Sequence, residues 1–510
     1  MRLGTALALT ALSGSLYGLA FPPPGLWPLA WVALVPFLLA VRASGPRRAI
    51  GLGALLGVAA SYGVGTWMPD AVINYYEQPF VVGVVVFLAC AVLQSSWQFA
   101  GFALLYRQLA RRRSALAPLL VGAAWTAAEL ARAKPVIGNP WAMLGYSQAS
   151  VPLLVQIADL GGIFAVGFLV ATANAAIASW WSARRMPAER AAARAGLAVA
   201  AAVVLGAIGY GTVARRSLDA GPAPRAVPVA AAQANLDLGV QWKPEFYGAN
   251  LAAYADLTLR AVADRPAQLV VWPESALTFF LESEPAYRAY LGALLARANA
   301  QLLTGGPRAI IDGDGRPPRY LNAAFVLSRA GAIEATYEKR FLVPFAEYFP
   351  LPQLDFLRRQ FGKVREFTPG TRQAPLPTVA GEAGIMICNE AMLGEYAIDR
   401  VEHGAEWLVA LANDSWVGRR QYADIALAMT QVRAVEVRRW LVRASTSGPS
   451  AIVDPAGRLV DRRDFGTQGF VRGDVVPRRG LTIYARLGDA FAWGCAVVAL
   501  AAAVLGAKYR

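Results

Sequence analysis

The apolar positions of this chain follow two regimes. Across the first 214 residues, and again near the end, hydrophobic residues run on almost without interruption, while between those regions they come in short bursts. A run of about 18 or more apolar residues with few charges reads as a membrane-spanning helix. Eight segments fit, with soft edges: about 3–21, 27–41, 49–67, 80–105, 115–132, 155–182, 195–214 and 487–507. The second is short, the sixth carries Asp159 near its start, and the fifth ends in Glu129 and Arg132. The first opens like a signal peptide, but no A-x-A-type cleavage site follows, so it reads as a retained helix. Pro22-Pro23-Pro24-Gly25, Pro69, Pro79 and Pro135 punctuate the boundaries, and Trp27, Trp31, Trp67 and Trp141 suit the membrane interface. The segment I-G-N-P-W-A-M-L-G-Y-S-Q, 137–148, is aromatic and poor in charge. Composition leaves open whether it rests on the membrane surface or serves as a lid or substrate path.

From Gly221-Pro222-Ala223-Pro224 onward the pattern changes. Strand-like bursts are expected at Val227–Ala232, Gln268–Trp272, Gln301–Thr304, Ala323–Ser328, Ala332–Tyr337, Gly384–Cys388, Trp407–Leu411, Trp440–Ser445 and Ser450–Val453. Helical spacing is expected at Asn250–Ala263, Ala286–Ala300, Glu395–His403 and Gln421–Val437. Such alternation predicts a layered α/β domain of about 250 residues. The expected organisation is a seven-helix transmembrane domain over 1–214, an α/β domain over 221–480 and a final transmembrane helix over 486–510.

Charge orients the helices. With a cytoplasmic N-terminus, the cytoplasmic pieces hold 14 basic residues, among them Arg42, Arg47, Arg48 and Arg111 to Arg113, against one acid, Glu189. The outer loops hold Arg132 and Lys134 together with the acids Asp70 and Glu77. This positive-inside bias predicts cytoplasmic termini and an α/β domain on the outer face, periplasmic in a bacterial inner membrane. It also accounts for the formal net charge of +15, because residues 215–489 hold 33 basic and 29 acidic side chains. The basic balance is therefore a topology signal, and no nucleic-acid partner is expected. Of the three cysteines, Cys90 and Cys495 lie in apolar segments. Cys388 thus has no evident disulfide partner in an oxidising compartment.

Residue inventory removes most chemistry. The one histidine, His403, reads as a solvated helix-end residue, and a single histidine builds no sensible zinc site. There is no G-x-S-x-G elbow, Walker loop or G-x-G-x-x-G motif, so no metal, nucleotide or other cofactor is expected. What remains are polar groups just past apolar strands: Glu274 in V-V-W-P-E-S, Lys339 and Glu347 in Y-E-K-R-F-L-V-P-F-A-E-Y, and Cys388 and Glu390 in I-M-I-C-N-E. Each has a purely structural reading: Glu274 as a helix-start acid, Lys339 as a surface base, Cys388 as a small buried apolar residue. Together they form a chemical set. A carboxylate in a partly buried site can deprotonate a thiol, and an ammonium can stabilise both thiolate and oxyanion, which suffices for acyl transfer through a thioester.

Glu, Lys and Cys in this order at strand ends resemble the nitrilase superfamily. With the flanking spans, W-P-E-S, Y-x-K-x-x-L-V-P-F-x-E-Y, C-x-E and N-D-S-W, nearly the whole chain is similar to the apolipoprotein N-acyltransferases. The resemblance implies an αββα sandwich for the α/β domain. It implies Glu274 as general base, Lys339 as oxyanion stabiliser and Cys388 as nucleophile. Glu347 would orient Lys339 or assist proton transfer, the backbone N–H of Asn389 would complete an oxyanion hole, and Glu390 would fix the site. Trp242, Trp416 and Tyr348 would contact lipid. The implied donor is a phospholipid, preferably phosphatidylethanolamine, losing its sn-1 acyl chain, and the implied acceptor is the α-amine of an S-diacylglyceryl cysteine on an apolipoprotein. Asn389, Val417 and Ala426 depart from the family's frequent Tyr, aromatic and His. A membrane-tethered amidase with water as acceptor and a non-catalytic lipoprotein scaffold are the competing readings. Nothing in the sequence demands an oligomer, and a monomer is expected.

Overall fold

The computed structural model describes the chain except residues 135–137, 185, 221–225, 237–242, 312–316, 351–352, 354–357, 360–365 and 509–510. Two compact units emerge: a helical one, Met1–Pro69, Pro79–Ala220 and Thr482–Arg510, and an α/β one, Asp70–Gln78 and Gly221–Leu481.

The helices of the first half are α1 (Leu3–Leu19), α2 (Trp27–Arg42), α3 (Pro46–Gly65), α4 (Trp67–Asn74), α5 (Phe80–Leu109), α6 (Ala117–Ala133), α7 (Val155–Ala183) and α8 (Pro187–Asp219), and a last helix runs over Ala490–Lys508. All eight apolar segments are thus helical. Among the described residues four helices, α3, α5, α7 and α8, are long and apolar enough to cross a membrane, whereas Leu3–Leu19, Trp27–Arg42 and Ala490–Leu505 are shorter apolar helices. Helix α4, which the sequence pattern does not announce, contributes its later residues to the α/β unit. Small residues set the closest helix approach: a Cβ on Gly18 of α1 would stand 2.6 Å from the Gly63 Cα of α3. Without a hydrophobic drive between helices in lipid, such close backbone packing supplies the attraction.

The segment after α6 is packed into the helical unit. Residues 142–148 are buried. The Leu144 N–H donates to Glu129 Oε1 at 2.6 Å, the Tyr17 hydroxyl to the Ala142 carbonyl at 2.7 Å, and the Trp141 indole to the Val64 carbonyl at 2.8 Å. Gln148 accepts from the Trp31 indole at 3.0 Å. These bonds satisfy backbone groups that burial would otherwise strand. Residues 142–148 are thus held within the helical unit, residues 138–141 are half-buried, and Ile137 lies outside the described residues.

In the α/β unit, alternate side chains of each strand face opposite ways. The strands are β1 (Val227–Gln233), β2 (Leu269–Val271), β3 (Gln301–Ile310), β4 (Arg319–Leu327), β5 (Ile333–Glu338), β6 (Leu376–Thr378), β7 (Gly381–Ile387), β8 (Trp407–Ala412), β9 (Leu441–Ser445), β10 (Ser450–Val453), β11 (Leu459–Arg463) and β12 (Gly469–Val475). They form two six-stranded sheets, ordered β12-β1-β2-β3-β4-β5 and β11-β10-β9-β8-β7-β6. Val229, Ala231, Leu269 and Val271 of one sheet share a buried cluster with Ile385, Ile387, Val409 and Leu411 of the other. Val270 and Trp272 face outward, against Leu251 and Tyr254 of α9 (Pro244–Asp264) and Leu291 and Leu295 of α10 (Pro285–Ala298). Helices α11 (Gly394–Glu402) and α12 (Arg420–Val437) pack with the second sheet, giving αββα layers. The short or charge-bearing strands β6, β11 and β12 escape the hydrophobic pattern.

The three parallel strands β1, β2 and β3, and likewise β7, β8 and β9, end at the same edge of their sheets. Just past β8, Asp414 accepts from Arg443 Nη2 at 2.6 Å and from the Ser445 hydroxyl at 2.7 Å. Both charges are buried, Arg443 at 1% and Asp414 at 2% exposure. Removing one partner leaves the other charge unmatched in the interior, so Asp414→Ala is expected to cost about 3–5 kcal/mol, read by urea unfolding followed by tryptophan fluorescence. A cost below about 1 kcal/mol, the range of an exposed pair, would mean that the pair is not buried as described.

Candidate active site

The chemistry-bearing residues gather where strands end. Trp272, Pro273 and Glu274 follow β2, Lys339 follows β5 directly, and Cys388 follows β7 directly. The sequence pattern carries the β7 strand through Cys388; the structure ends it at Ile387. Cys388 instead opens a 3-10 turn with φ 55°, left-handed backbone that costs a side-chain-bearing residue about 1–2 kcal/mol. Ser275, next to Glu274, and Phe345, two residues before Glu347, are left-handed as well, with φ 58° and 64°. Strain of this kind persists only where the surroundings over-determine the conformation, and it clusters at functional sites.

Lys339 is the centre of the charges. It is 1% exposed, and its Nζ lies 2.7 Å from Glu347 Oε2 and 4.0 Å from Glu274 Oε1. Asn322 of β4 ties the two carboxylates together, donating from Nδ2 to Glu274 Oε1 at 2.7 Å and to Glu347 Oε1 at 3.0 Å. The Val343 N–H donates to Glu347 Oε2 at 2.9 Å, which closes the turn after Lys339. Gly305 of β3 has the role of a spacer: a Cβ there would stand 2.7 Å from the Glu274 Cα.

Burial alone would pull the Lys339 pKa down, but Glu347, Cys388 and Glu274 outweigh it and hold the ammonium above its ordinary value. Burial pushes the Cys388 thiol well above its ordinary value, and Glu274 adds to this. Lys339 opposes the shift, while Glu347 and Asp414 reinforce it. Burial and the neighbouring acids thus favour the neutral Cys388 thiol, and the same acids favour the Lys339 ammonium.

Glu390 is fully buried and stands behind this group. It accepts from the Tyr337 hydroxyl at 2.9 Å, from the Ile387 N–H at 2.8 Å, and from the N–H groups of Arg340 and Phe341 at 2.8 and 3.1 Å. Arg400 completes the set, donating from Nη2 to the Tyr337 hydroxyl at 2.6 Å and from Nε to the Ile385 carbonyl at 2.7 Å. With its lone pairs engaged, Glu390 clamps the end of β7 to the end of β5 and so holds Cys388 near Lys339. Asn389 Oδ1 accepts from the Cys388 thiol at 3.6 Å and from the Tyr422 hydroxyl at 3.5 Å. The Trp416 ring meets the edges of Tyr422 and Tyr75, with centroids 6.0 and 5.9 Å away. Tyr348 is half-buried in the turn that carries Glu347. Trp242 lies outside the described residues, and His403 is an exposed helix-end residue.

Asn322, Tyr337, Arg400 and Tyr422 are the partners that the sequence pattern does not single out. Asn322 leaves a trace, as a polar side chain in the otherwise apolar L-N-A-A-F-V-L of β4. The others depend on pairings between distant segments.

An α/β sandwich with a cysteine, a lysine and two carboxylates at its strand ends is the architecture of a carbon–nitrogen hydrolase domain, and residues 228–483 match the family model described as Carbon-nitrogen hydrolase. Residues 13–176 match the one described as Apolipoprotein N-acyltransferase N-terminal domain. A protein of Geobacter metallireducens named apolipoprotein N-acyltransferase is 36% identical, covering 98% of this chain and 95% of its own. A Pseudomonas putida protein of the same name is 32% identical, covering 94% and 92%. A solved carbon–nitrogen hydrolase from Helicobacter pylori is 17% identical with a TM-score of 0.39, covering 49% of this chain and 89% of that one. The chain belongs to the apolipoprotein N-acyltransferase family and is an acyltransferase with an apolar helical membrane domain.

The charge arrangement fixes the sign of a pH test. Iodoacetamide alkylation of Cys388, followed by peptide mass spectrometry, should rise with pH only above the ordinary thiol range near ~8.5. Glu274→Gln removes a neighbouring negative charge and should move that rise to lower pH. Lys339→Met removes the compensating positive charge and should move it higher. Identical profiles in all three proteins would break the proposed coupling.

Proposed function

We propose that this chain transfers the sn-1 acyl chain of a phospholipid, preferably phosphatidylethanolamine, to the α-amine of the S-diacylglyceryl cysteine of apolipoproteins, by a ping-pong route through a thioester on Cys388. The observation that carries this reading is the buried Lys339 ammonium between Glu274 and Glu347, coupled electrostatically to the Cys388 thiol. Glu274 takes the thiol proton as Sγ attacks the ester carbonyl. Lys339 and the Asn389 backbone N–H stabilise the oxyanion. Collapse expels the glycerol oxygen, which recovers the proton from Glu274 and leaves as lysophospholipid. The acceptor amine then attacks the thioester and gives its proton to Glu274, and the thiol is restored. Glu347 holds the lysine, Glu390 holds the turn, and Trp416 and Tyr348 contact lipid, with Trp242 a further candidate.

The topology supporting this chemistry has eight spans. Residues 1–214 and 486–510 lie in the bacterial inner membrane with both termini cytoplasmic, residues 221–480 form the periplasmic catalytic domain, and a monomer suffices. The positive-inside bias of the loops supports this orientation. Restricting both substrates to the bilayer raises their effective concentration at the site. A buried, apolar setting also keeps water from the thioester until the amine arrives.

The test is acyl transfer from radiolabelled phosphatidylethanolamine to a diacylglyceryl-cysteine peptide, with free fatty acid counted in parallel. Glu274→Gln should slow transfer about 10²–10⁴-fold, the usual worth of a general base. Lys339→Met should cost at least about 10²–10³-fold, the usual worth of an oxyanion donor. Asn322→Leu, which frees both carboxylates to move, should cost about 10²-fold with little change in substrate KM. Label appearing only as free fatty acid would favour an amidase-like hydrolase. Transfer unaffected by Glu274→Gln would remove the assigned base.

A further inference from the structure

At the arginine-rich end of the helical unit a shallow, solvent-open cleft lies between the turn after α5, the start of α6, the end of α7 and the start of α8. Its polar lining is Arg42, Arg111 to Arg113, Ser114, Ser179 and Glu189. Arg42 and Glu189 build its frame. Arg42 Nη1 donates to the Ala110 carbonyl at 2.9 Å, and Nη2 pairs with Glu189 at 2.8 Å, so three elements are pinned around the opening. Arg112 donates to the Ala502 carbonyl. Arg111 and Arg113 are exposed and form no hydrogen bond or ion pair among the described residues. The single carboxylate of the cleft is already neutralised by Arg42, which leaves these two guanidinium groups facing it without a counter-charge.

The rest of the lining is apolar, with Ala117 and Pro118 of α6, Ala183 of α7, and Ala193 and Gly196 of α8. Beside it, Trp180 and Trp181 are 42% and 45% exposed, and the Arg184 guanidinium stacks on the Trp181 ring at 3.5 Å. Exposed tryptophans with arginine at a helix end are the pattern of a membrane interface. A free phosphate would need the charges and have no use for the apolar wall. A phospholipid uses both.

We propose that this cleft binds the headgroup of an anionic phospholipid, its phosphodiester on Arg111 and Arg113 and its glycerol and first acyl carbons along the Ala117–Pro118 wall. Guanidinium groups suit the phosphate through paired N–H donors, and basic pockets between membrane helices are where such headgroups lodge. The cleft shares no residue with the Cys388 site, so its occupant is a resident lipid and not the acyl donor. Without a ligand, the same arginines would act only as an orientation signal.

The full-length protein, purified in detergent and stripped of lipid, would be titrated with phosphatidylglycerol, phosphatidylethanolamine and inorganic phosphate and examined by native mass spectrometry. The comparison is with an Arg111→Gln/Arg113→Gln variant, which keeps Arg42 and Arg112 and is expected to keep its acyl-transfer rate. Wild type should retain phosphatidylglycerol at least about fivefold better than the variant, while phosphatidylethanolamine, which also reaches the acyl-donor site, should be held equally by both. Equal phosphatidylglycerol retention would overturn the proposal. Displacement by millimolar inorganic phosphate would overturn the lipid assignment in favour of a small-anion site. If the double variant loses transfer activity, the single variants Arg111→Gln and Arg113→Gln carry the comparison, each expected to weaken phosphatidylglycerol alone.

Discussion

A lysine ammonium taken out of water must be matched by negative charge at close range, and much of the α/β unit is arranged around that requirement at Lys339. Glu347 at 2.7 Å supplies the direct partner and Glu274 at 4.0 Å the second. The two carboxylates would repel one another were Asn322 not donating to both. Burial raises the Cys388 thiol well above its ordinary value, and Glu274 adds to the shift while Lys339 opposes it. A protonated thiol is a poor nucleophile and a poor target for oxidants. In the proposed route, the arriving acyl carbonyl would give Lys339 a further negative group, the oxyanion, to match.

Two supports keep the arrangement in register. Glu390 uses its oxygens to fasten the ends of β5 and β7, with Tyr337 and Arg400 bracing it. The buried Asp414–Arg443 pair fixes the end of β8 beside them. Breaking such buried pairs leaves an uncompensated charge, so they enforce position more than they add stability. The left-handed backbone at Ser275, Phe345 and Cys388 belongs to the same picture, since each bend sits beside one of the charged groups.

Much of this arrangement is legible in the amino-acid sequence. The apolar bursts locate most of the strands, and because strand ends in α/β sheets are where sites assemble, they also locate Glu274, Lys339 and Cys388. What the pattern hides has physical causes. The strands Leu459–Arg463 and Gly469–Val475 carry charges on their solvated faces and so lack a continuous apolar signal. Asn322 and Arg400 act across the fold, and no local spacing reports a contact of 48 or 63 residues' separation. Residues 70–78 read as a loop between helices, yet they belong to the α/β unit, where Asp70 pairs with Arg419 at 2.7 Å and Tyr75 meets Trp416. Hydropathy locates eight apolar helices, but among the described residues length and composition alone qualify four of them to span a bilayer.

Whether this buried charge group lets Cys388 carry an acyl chain can be read by intact-protein mass spectrometry. The detergent-purified protein would be incubated with phosphatidylethanolamine and no acceptor, beside a Cys388→Ala control. The native protein should gain an adduct of one acyl chain, absent from the control, cleaved by neutral hydroxylamine as a thioester is, and discharged when a diacylglyceryl-cysteine peptide is added. An adduct that persists in the Cys388→Ala protein, or folded native protein that transfers acyl chains without ever accumulating one on Cys388 under single-turnover conditions, would contradict the proposed thioester route.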